Sequence, residues 1–354
     1  MRKSVLLLLL LLIHAPAAAQ DRLPPVQVFL QQSAAGDRLH FIDLQTGETT
    51  ITTVSGQRYT LFGRGVMFYD PAAGRVRLAT PDGRVRAHPF IQPLADGQRV
   101  DWALSADGQR VAWTLTTTQA DGQITTLTQV AHIDGSSPRQ ALVDGPRAGI
   151  RVLPLGFSAD GRMLYFDYQP DGIGDLTPFR QYAGLFALDL ETGATTPLPG
   201  EPGCFCGAGL GNGLLLRLAL TADLRGFDAV LTNLGAGTQE RIPALRLANY
   251  TLGGGILFAP DQAQAVYVLA QVRDFGGANF SARAVYVLVD LIKRTQTILT
   301  GPVTVLAQPV AWADDGATII FASVVPGQDG TWKIGPDEQR LIKVAEATYL
   351  GTLE

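Results

Sequence analysis

From residue 26 onward the chain is built of short runs in which apolar and polar residues alternate, each run closed by a turn rich in Gly, Asp or Asn. Alternation with period two places one set of side chains on each face of an extended strand. Residues 98–145 show the pattern clearly: runs at 99–105, 109–117, 123–133 and 138–143 are separated by Asp107-Gly108, Asp121-Gly122 and Asp134-Gly135. β-Branched residues within the runs and Asp-Gly between them are strand and hairpin signals together. Each such unit reads as four antiparallel strands.

The unit recurs. Ser105-Ala106-Asp107-Gly108 returns as Ser158-Ala159-Asp160-Gly161, and more loosely as Ala259-Pro260-Asp261-Gln262 and Ala313-Asp314-Asp315-Gly316. An apolar, mostly aromatic residue precedes each turn: Trp102, Phe157, Phe258 and Trp312. The turn aspartates at 107, 160, 261 and 315 are spaced by 53, 101 and 54 residues. The double-length middle gap hides one more unit, marked by Gly211-Asn212-Gly213, whose Asn-Gly pair tolerates the positive φ of a two-residue hairpin turn. Earlier in the chain, runs at 58–62, 66–69, 75–80 and 84–90 make another unit, and 26–31, 39–43 and 49–54 supply only three strands. At the other end, 347–353 is left over.

A repeated four-stranded meander of about 50 residues predicts an all-β propeller, because one blade cannot bury both its faces until neighbours stack on it. The leftover segment then completes the first blade as its innermost strand, which closes the ring and removes its free edges. The count is seven blades, with six as the other count the arithmetic allows. Turn aspartates in this setting accept hydrogen bonds from the turn itself, a structural role for Asp107, Asp160, Asp261 and Asp315.

The stretches Phe157-Ser158-Ala159-Asp160-Gly161 and Phe258-Ala259-Pro260-Asp261 resemble the WD40-like PD40 repeats of the TolB-type extracytoplasmic propellers. The resemblance implies the fold over most of the chain. It does not imply a Tol-system role, because TolB carries a further N-terminal α/β domain for which this chain leaves no room.

The N-terminus is different in kind. Arg2 and Lys3 precede nine unbroken apolar residues from Val5 to Ile13, followed by Pro16 and the small residues Ala17-Ala18-Ala19. This is the three-part pattern of a signal peptide cleaved after Ala19. Nine residues reach only about 14 Å as a helix, short of a bilayer's hydrocarbon core. The expected organisation is therefore a signal peptide at 1–19, a lead-in at 20–25 and a single propeller domain at 26–354, exported to the periplasm, cell surface or medium, with no membrane span after cleavage.

Composition narrows the function. Charged residues are 17% of the chain and the net charge is −4. Losing Arg2 and Lys3 lowers it further, so a nucleic-acid partner is not expected. His40, His88 and His132 lack metal-site spacing, and no Gly-x-Ser-x-Gly elbow is present. Asp167, Gln169, Asp171 and Asp175, with Gly172 at the sixth place, follow the start of a calcium loop, but Pro178 stands where the bidentate carboxylate belongs. Calcium is the one cofactor this implies, and an Asp- and Gly-rich turn is the competing account. Cys204 and Cys206 suit a local disulfide in an oxidising compartment, with two buried thiols as the alternative.

Insertions at 167–182, 221–227 and 271–282 each follow a second strand and therefore share one rim. Tyr168, Phe179, Tyr182, Phe275 and Phe280 lie within them as a candidate binding surface. The expectation is a non-catalytic binding scaffold for an envelope or extracellular protein or glycan. The alternative is an extracellular polysaccharide-active lyase or hydrolase with its site at the channel mouth.

Overall fold

The computed structural model describes residues 24–172, 177–200, 207–247, 249–313, 316–325 and 328–354. Within them lie 28 strands and no helix, arranged as seven four-stranded antiparallel sheets. The protein is a seven-bladed β-propeller. Blades 2 to 7 occupy residues 57–87, 98–148, 150–197, 208–242, 252–298 and 307–345 in chain order. Blade 1 joins the strands of 26–54 to the C-terminal strand Thr348–Leu353.

Burial shows why stacking is required. Strand Gln264–Arg273 in blade 6 is buried at six consecutive positions, so both of its faces are covered. One face carries Tyr267 and Leu269, which pack with Leu216, Leu218 and Leu231 of blade 5. The other carries Val266 and Val268, which pack with Ile319 and Phe321 of blade 7. The core is thus a set of layers between blades, each too thin to stand alone.

In blades 2 to 7 the first strand lies innermost. The first strands of blades 3 and 4, of 5 and 6, and of 6 and 7 lie against one another around the axis. Thr348–Leu353 takes the same position in blade 1, touching the first strands of blades 7 and 2. It pairs with Val26–Gln31 from Val26↔Leu353 to Leu30↔Thr348, which is the closure expected from the leftover segment.

Antiparallel pairing sets the start of each first strand beside the end of its second strand, as in Ile150↔Pro170 and Leu252↔Ala270. Those ends and the loops between second and third strands form one rim. The predicted insertions lie there but are shorter than expected at 271–282. Strands Gln264–Arg273 and Ser281–Asp290 stay paired as far as Arg273↔Ser281, leaving a loop of 274–280.

Candidate functional site

The rim around the channel is ionic in blades 2 to 4. Arg58, Arg99 and Arg151 each occupy the second position of their blade's first strand: Gln57–Phe62, Gln98–Leu104 and Ile150–Phe157. Arg58 pairs with the buried Asp101 of the next blade and lies 5.1 Å from the centre of the Trp102 ring. Arg99 holds Asp171 with both terminal nitrogens, at 2.8 and 3.0 Å, joining blade 3 to blade 4. Arg151 approaches the same carboxylate at 3.6 Å. The Arg99 guanidinium keeps Asp171 below the usual carboxylate range. Burial pushes Arg58 down to about 10, and the nearby charges of Arg180 and Arg151 push the same way.

The loop after the second strand of blade 4 turns inward over this rim. Phe179 is fully buried, and it packs with the layer between blades 6 and 7. Gln181 Nε2 donates to the Gly253 carbonyl at 3.2 Å. The loop therefore reaches the inner strand of blade 6. Glycines permit the approach: a Cβ on Gly254 would lie 2.6 Å from Phe179 Cβ. The described first strand of blade 5, Ala208–Gly211, has only four residues.

Loop residues Arg180 and Tyr182 line a cavity of about 180 Å³ together with Leu155, Leu185, Leu210 and Ile256 and the backbone at Ala208 and Gly209. The Arg180 guanidinium stands 5.4 Å from the centre of the Tyr182 ring. Its Nε and Nη2 are enclosed and have no hydrogen-bond partner among the described residues. Asp167 is fully buried. Its Oδ1 accepts from the Ala183 and Gly184 N–H groups at 3.1 and 2.8 Å, and its Oδ2 has no partner among the described residues. Burial raises the Asp167 carboxyl; the two backbone bonds and the charges of Arg180 and Arg217 oppose that less strongly.

The residues singled out in the sequence separate here. Asp167 faces backbone donors, Gln169 Nε2 donates to the Gln181 carbonyl at 3.2 Å, and Asp171 is engaged by arginines. Asp175 lies outside the described residues, as do Cys204 and Cys206. No group of three or more His, Cys, Asp or Glu side chains suited to a metal occurs among the described residues. His88 is buried against Phe62 and Phe90, while His40 and His132 lie in other blades.

The aromatic candidates are largely engaged in packing. Phe179 is interior and offers no surface, a correction to its expected place in a contact patch. The inward fold of its loop is the cause. Tyr168 stacks on Phe186 at 4.6 Å and receives Arg147 over its ring at 4.7 Å. Phe275 and Phe280 meet edge to face at 6.0 Å and cover the layer between blades 6 and 7. The rim arginines were missed in the sequence. Their signal was present, since Arg58, Arg99 and Arg151 recur at one position of the repeat.

Comparison with solved structures finds propellers. A prolyl endopeptidase superposes with a TM-score of 0.61 at 8% identity, over 92% of this chain and 50% of its own. An oligogalacturonate lyase solved with manganese gives 0.54 at 14% identity, covering 91% of this chain and 85% of its own. TolB from Acinetobacter baumannii gives 0.46 at 12% identity, over 93% and 82%. The chain spans half the length of that endopeptidase. At these identities the likeness shows the fold alone. No family model matches the chain, and no curated protein sequence matches it, so the likeness to the PD40 repeat remains a resemblance. Among the described residues no helix is long and apolar enough to cross a membrane.

Proposed function

We propose that the chain is an exported, non-catalytic propeller that binds an envelope or extracellular protein or glycan through its loop-bearing rim. Export rests on the pattern of residues 1–19. The binding reading rests on one observation above others, the tip of the loop 221–226 in blade 5. There Leu224 is 66% exposed and held at φ 57°, a conformation costly for a residue of its kind. Thr221 Oγ1 fixes it by accepting from the Arg225 and Gly226 N–H groups at 3.3 and 3.1 Å. A rigid turn that holds an apolar side chain out in water, flanked by long loops of blades 4 and 6, suits recognition on a stiff scaffold. Asp101 and Asp171, two of the carboxylates at the channel rim, are held in ion pairs, and Asp167 is fully buried, which favours binding over acid–base work there.

The test compares the wild type with Leu224→Asn, since Asn adopts positive φ more readily and removes the apolar tip. Purified protein is crosslinked in secreted and envelope fractions of the source cells. The expected result is a discrete partner that the wild type captures and the variant loses, with the variant's melting temperature equal or higher. Capture indifferent to both Leu224→Asn and replacement of 274–280 by a tight turn would overturn the reading. So would cleavage of an extracellular polysaccharide by the wild type.

A further inference from the structure

We propose that a cleft between blades 4 and 5, on the rim opposite the long loops, binds a small aromatic amine, with its ring between the blades and its ammonium at Asp160. The site is independent of the partner reading at Leu224, which lies on the other rim.

The cleft arises where two neighbouring blades leave the space between them half-filled. Its volume is about 580 Å³, within the range of small-molecule sites. Hairpin turns frame it: 158–160 in blade 4, and Asn212-Gly213 and 233–237 in blade 5. These turns lie at the far end of the strands from the loops between second and third strands. In blade 4, Leu164, Phe166, Phe186 and Leu188 pack toward blade 3. The alternate positions Met163, Tyr165 and Ala187 line the cleft on the blade 5 side. Among the described residues the apolar cluster enclosed between blades 4 and 5 is Leu185, Ala208 and Leu215. The layer between blades 5 and 6 encloses Leu216, Leu218, Leu231, Tyr267 and Leu269 among others. The small Ala187, with Gly213 across from it, leaves open what larger side chains close in that layer.

Charge selects the ligand. Asp160 is the one charged side chain among the described lining residues. Its Oδ1 accepts from Ser158 Oγ and the Arg162 N–H, and these bonds hold the carboxyl below the usual carboxylate range, so it is ionised at neutral pH. The neighbouring Arg162 guanidinium turns instead to Asp189 and Glu191, at 3.0 and 3.7 Å, and Asp160 has no ion pair among the described residues. Tyr165 is buried, yet its hydroxyl makes no hydrogen bond among the described residues and is not enclosed. Burial and the Asp160 charge keep that hydroxyl protonated; its oxygen can still accept from an ammonium. A cation is therefore favoured, and an anion would meet Asp160 with no positive group to offset it. The walls select the body. Met163, Pro197, Leu198, Pro199 and Leu234 are apolar, and thioether and ring surfaces pack well against a flat aromatic ring. An inorganic cation would leave these walls unused.

The test is titration calorimetry of the full chain with three probes that share a ring: tryptamine, the uncharged tryptophol and the anionic indole-3-propionate. Tryptamine should bind saturably and raise the melting temperature. Because Asp160 is solvent-exposed, tryptophol should be weaker by about two- to fivefold, a margin that shrinks at high salt, and indole-3-propionate weaker again. Asp160→Asn keeps an acceptor for the turn and removes the charge, so tryptamine should fall to the level of tryptophol while the melting temperature stays put. Thr196→Trp places a large ring in the cleft from an exposed position and should weaken all three probes without unfolding the blade. Tryptophanyl-glycinamide carries the same ring and amine at a peptide N-terminus. Binding tighter than tryptamine assigns the ligand to peptide termini, and weaker binding assigns it to free amines. Equal affinity for the three probes, undiminished affinity in Thr196→Trp, or no binding of tryptamine would overturn the proposal. Crosslinked capture at Leu224 is unaffected by any of these outcomes.

Discussion

His88 shows how one buried side chain sets a pH dependence. It is 5% exposed, and its Nδ1 accepts the Ile91 N–H at 3.2 Å, while Phe62 and Phe90 enclose the ring. Burial pushes its pKa down to about 4, with the charge of Arg86 acting in the same sense. The folded state therefore binds a proton less readily than the unfolded chain, whose His titrates near 6.5. The stability due to neutral His88 is complete above that value. It is lost as pH falls toward 4, at up to about 1.4 kcal/mol per pH unit. His88→Asn keeps an acceptor for Ile91 and removes the titration. Urea unfolding at pH 7 and pH 4.5 should show a smaller loss in the variant than in the wild type, and equal losses would refute the assignment. Residues in hairpin turns were the readily legible ones. Asp107 and Asp160 accept from Ser105 and Ser158 and from the N–H two residues on, and Asp261 accepts from Ala263. Asn212 and Gly213 take positive φ of 38° and 83°. Such interactions are local, so the local sequence suffices to read them. Asp315 lies outside the described residues.

Strands and loops were legible where a partner lies next in sequence. The run read at 123–133 is the strand Gln123–His132. The run read at 138–143 extends to Arg139–Ala148, through Gly145 and Pro146. It is the outer strand of its blade, where a missing N–H costs no ladder bond, so proline does not end it. The blade 4 loop was not legible in the same way. An aromatic residue in a polar loop reads alike whether the loop faces water or folds inward. What decides Phe179 is Gly254, far along the chain, whose bare backbone leaves room for it. Gly254→Ala tests that link. Its Cβ would stand 2.6 Å from Phe179 Cβ and 3.2 Å from Cγ, so the loop or the strand must shift. The expected cost is about 1–3 kcal/mol in urea unfolding. Amide exchange should rise first at 177–182, and unchanged protection there would mean that the loop does not depend on Gly254.

At the scale of the whole ring, stability is shared between neighbouring blades, and one strand decides whether the circle is complete. Thr348–Leu353 contributes Leu353 and Leu350 to the core layer of blades 1 and 2, and the Tyr349 ring lies 5.4 Å from that of Phe29. It is also tied to blade 7. Tyr349 N–H donates to Thr331 Oγ1 at 2.8 Å, and that hydroxyl donates to the Ala347 carbonyl at 2.6 Å. The Gln32 N–H donates to Asp329, so a second bond links blade 1 to blade 7. A chain ending at Ala347 loses the ladder along Val26–Gln31 and leaves that strand as an open inner edge. Open edges pair with other chains, and a ring without closure opens from the gap inward. The truncated protein should therefore unfold over a broader transition with a lower midpoint, and associate at concentrations where the full chain does not. Adding the peptide 348–354 in trans should restore part of the midpoint, because it supplies the missing ladder by mass action. A truncation that melts as sharply and as high as the full chain would mean that the seven blades hold together without this strand. The ring would then owe its stability to the layers between blades alone.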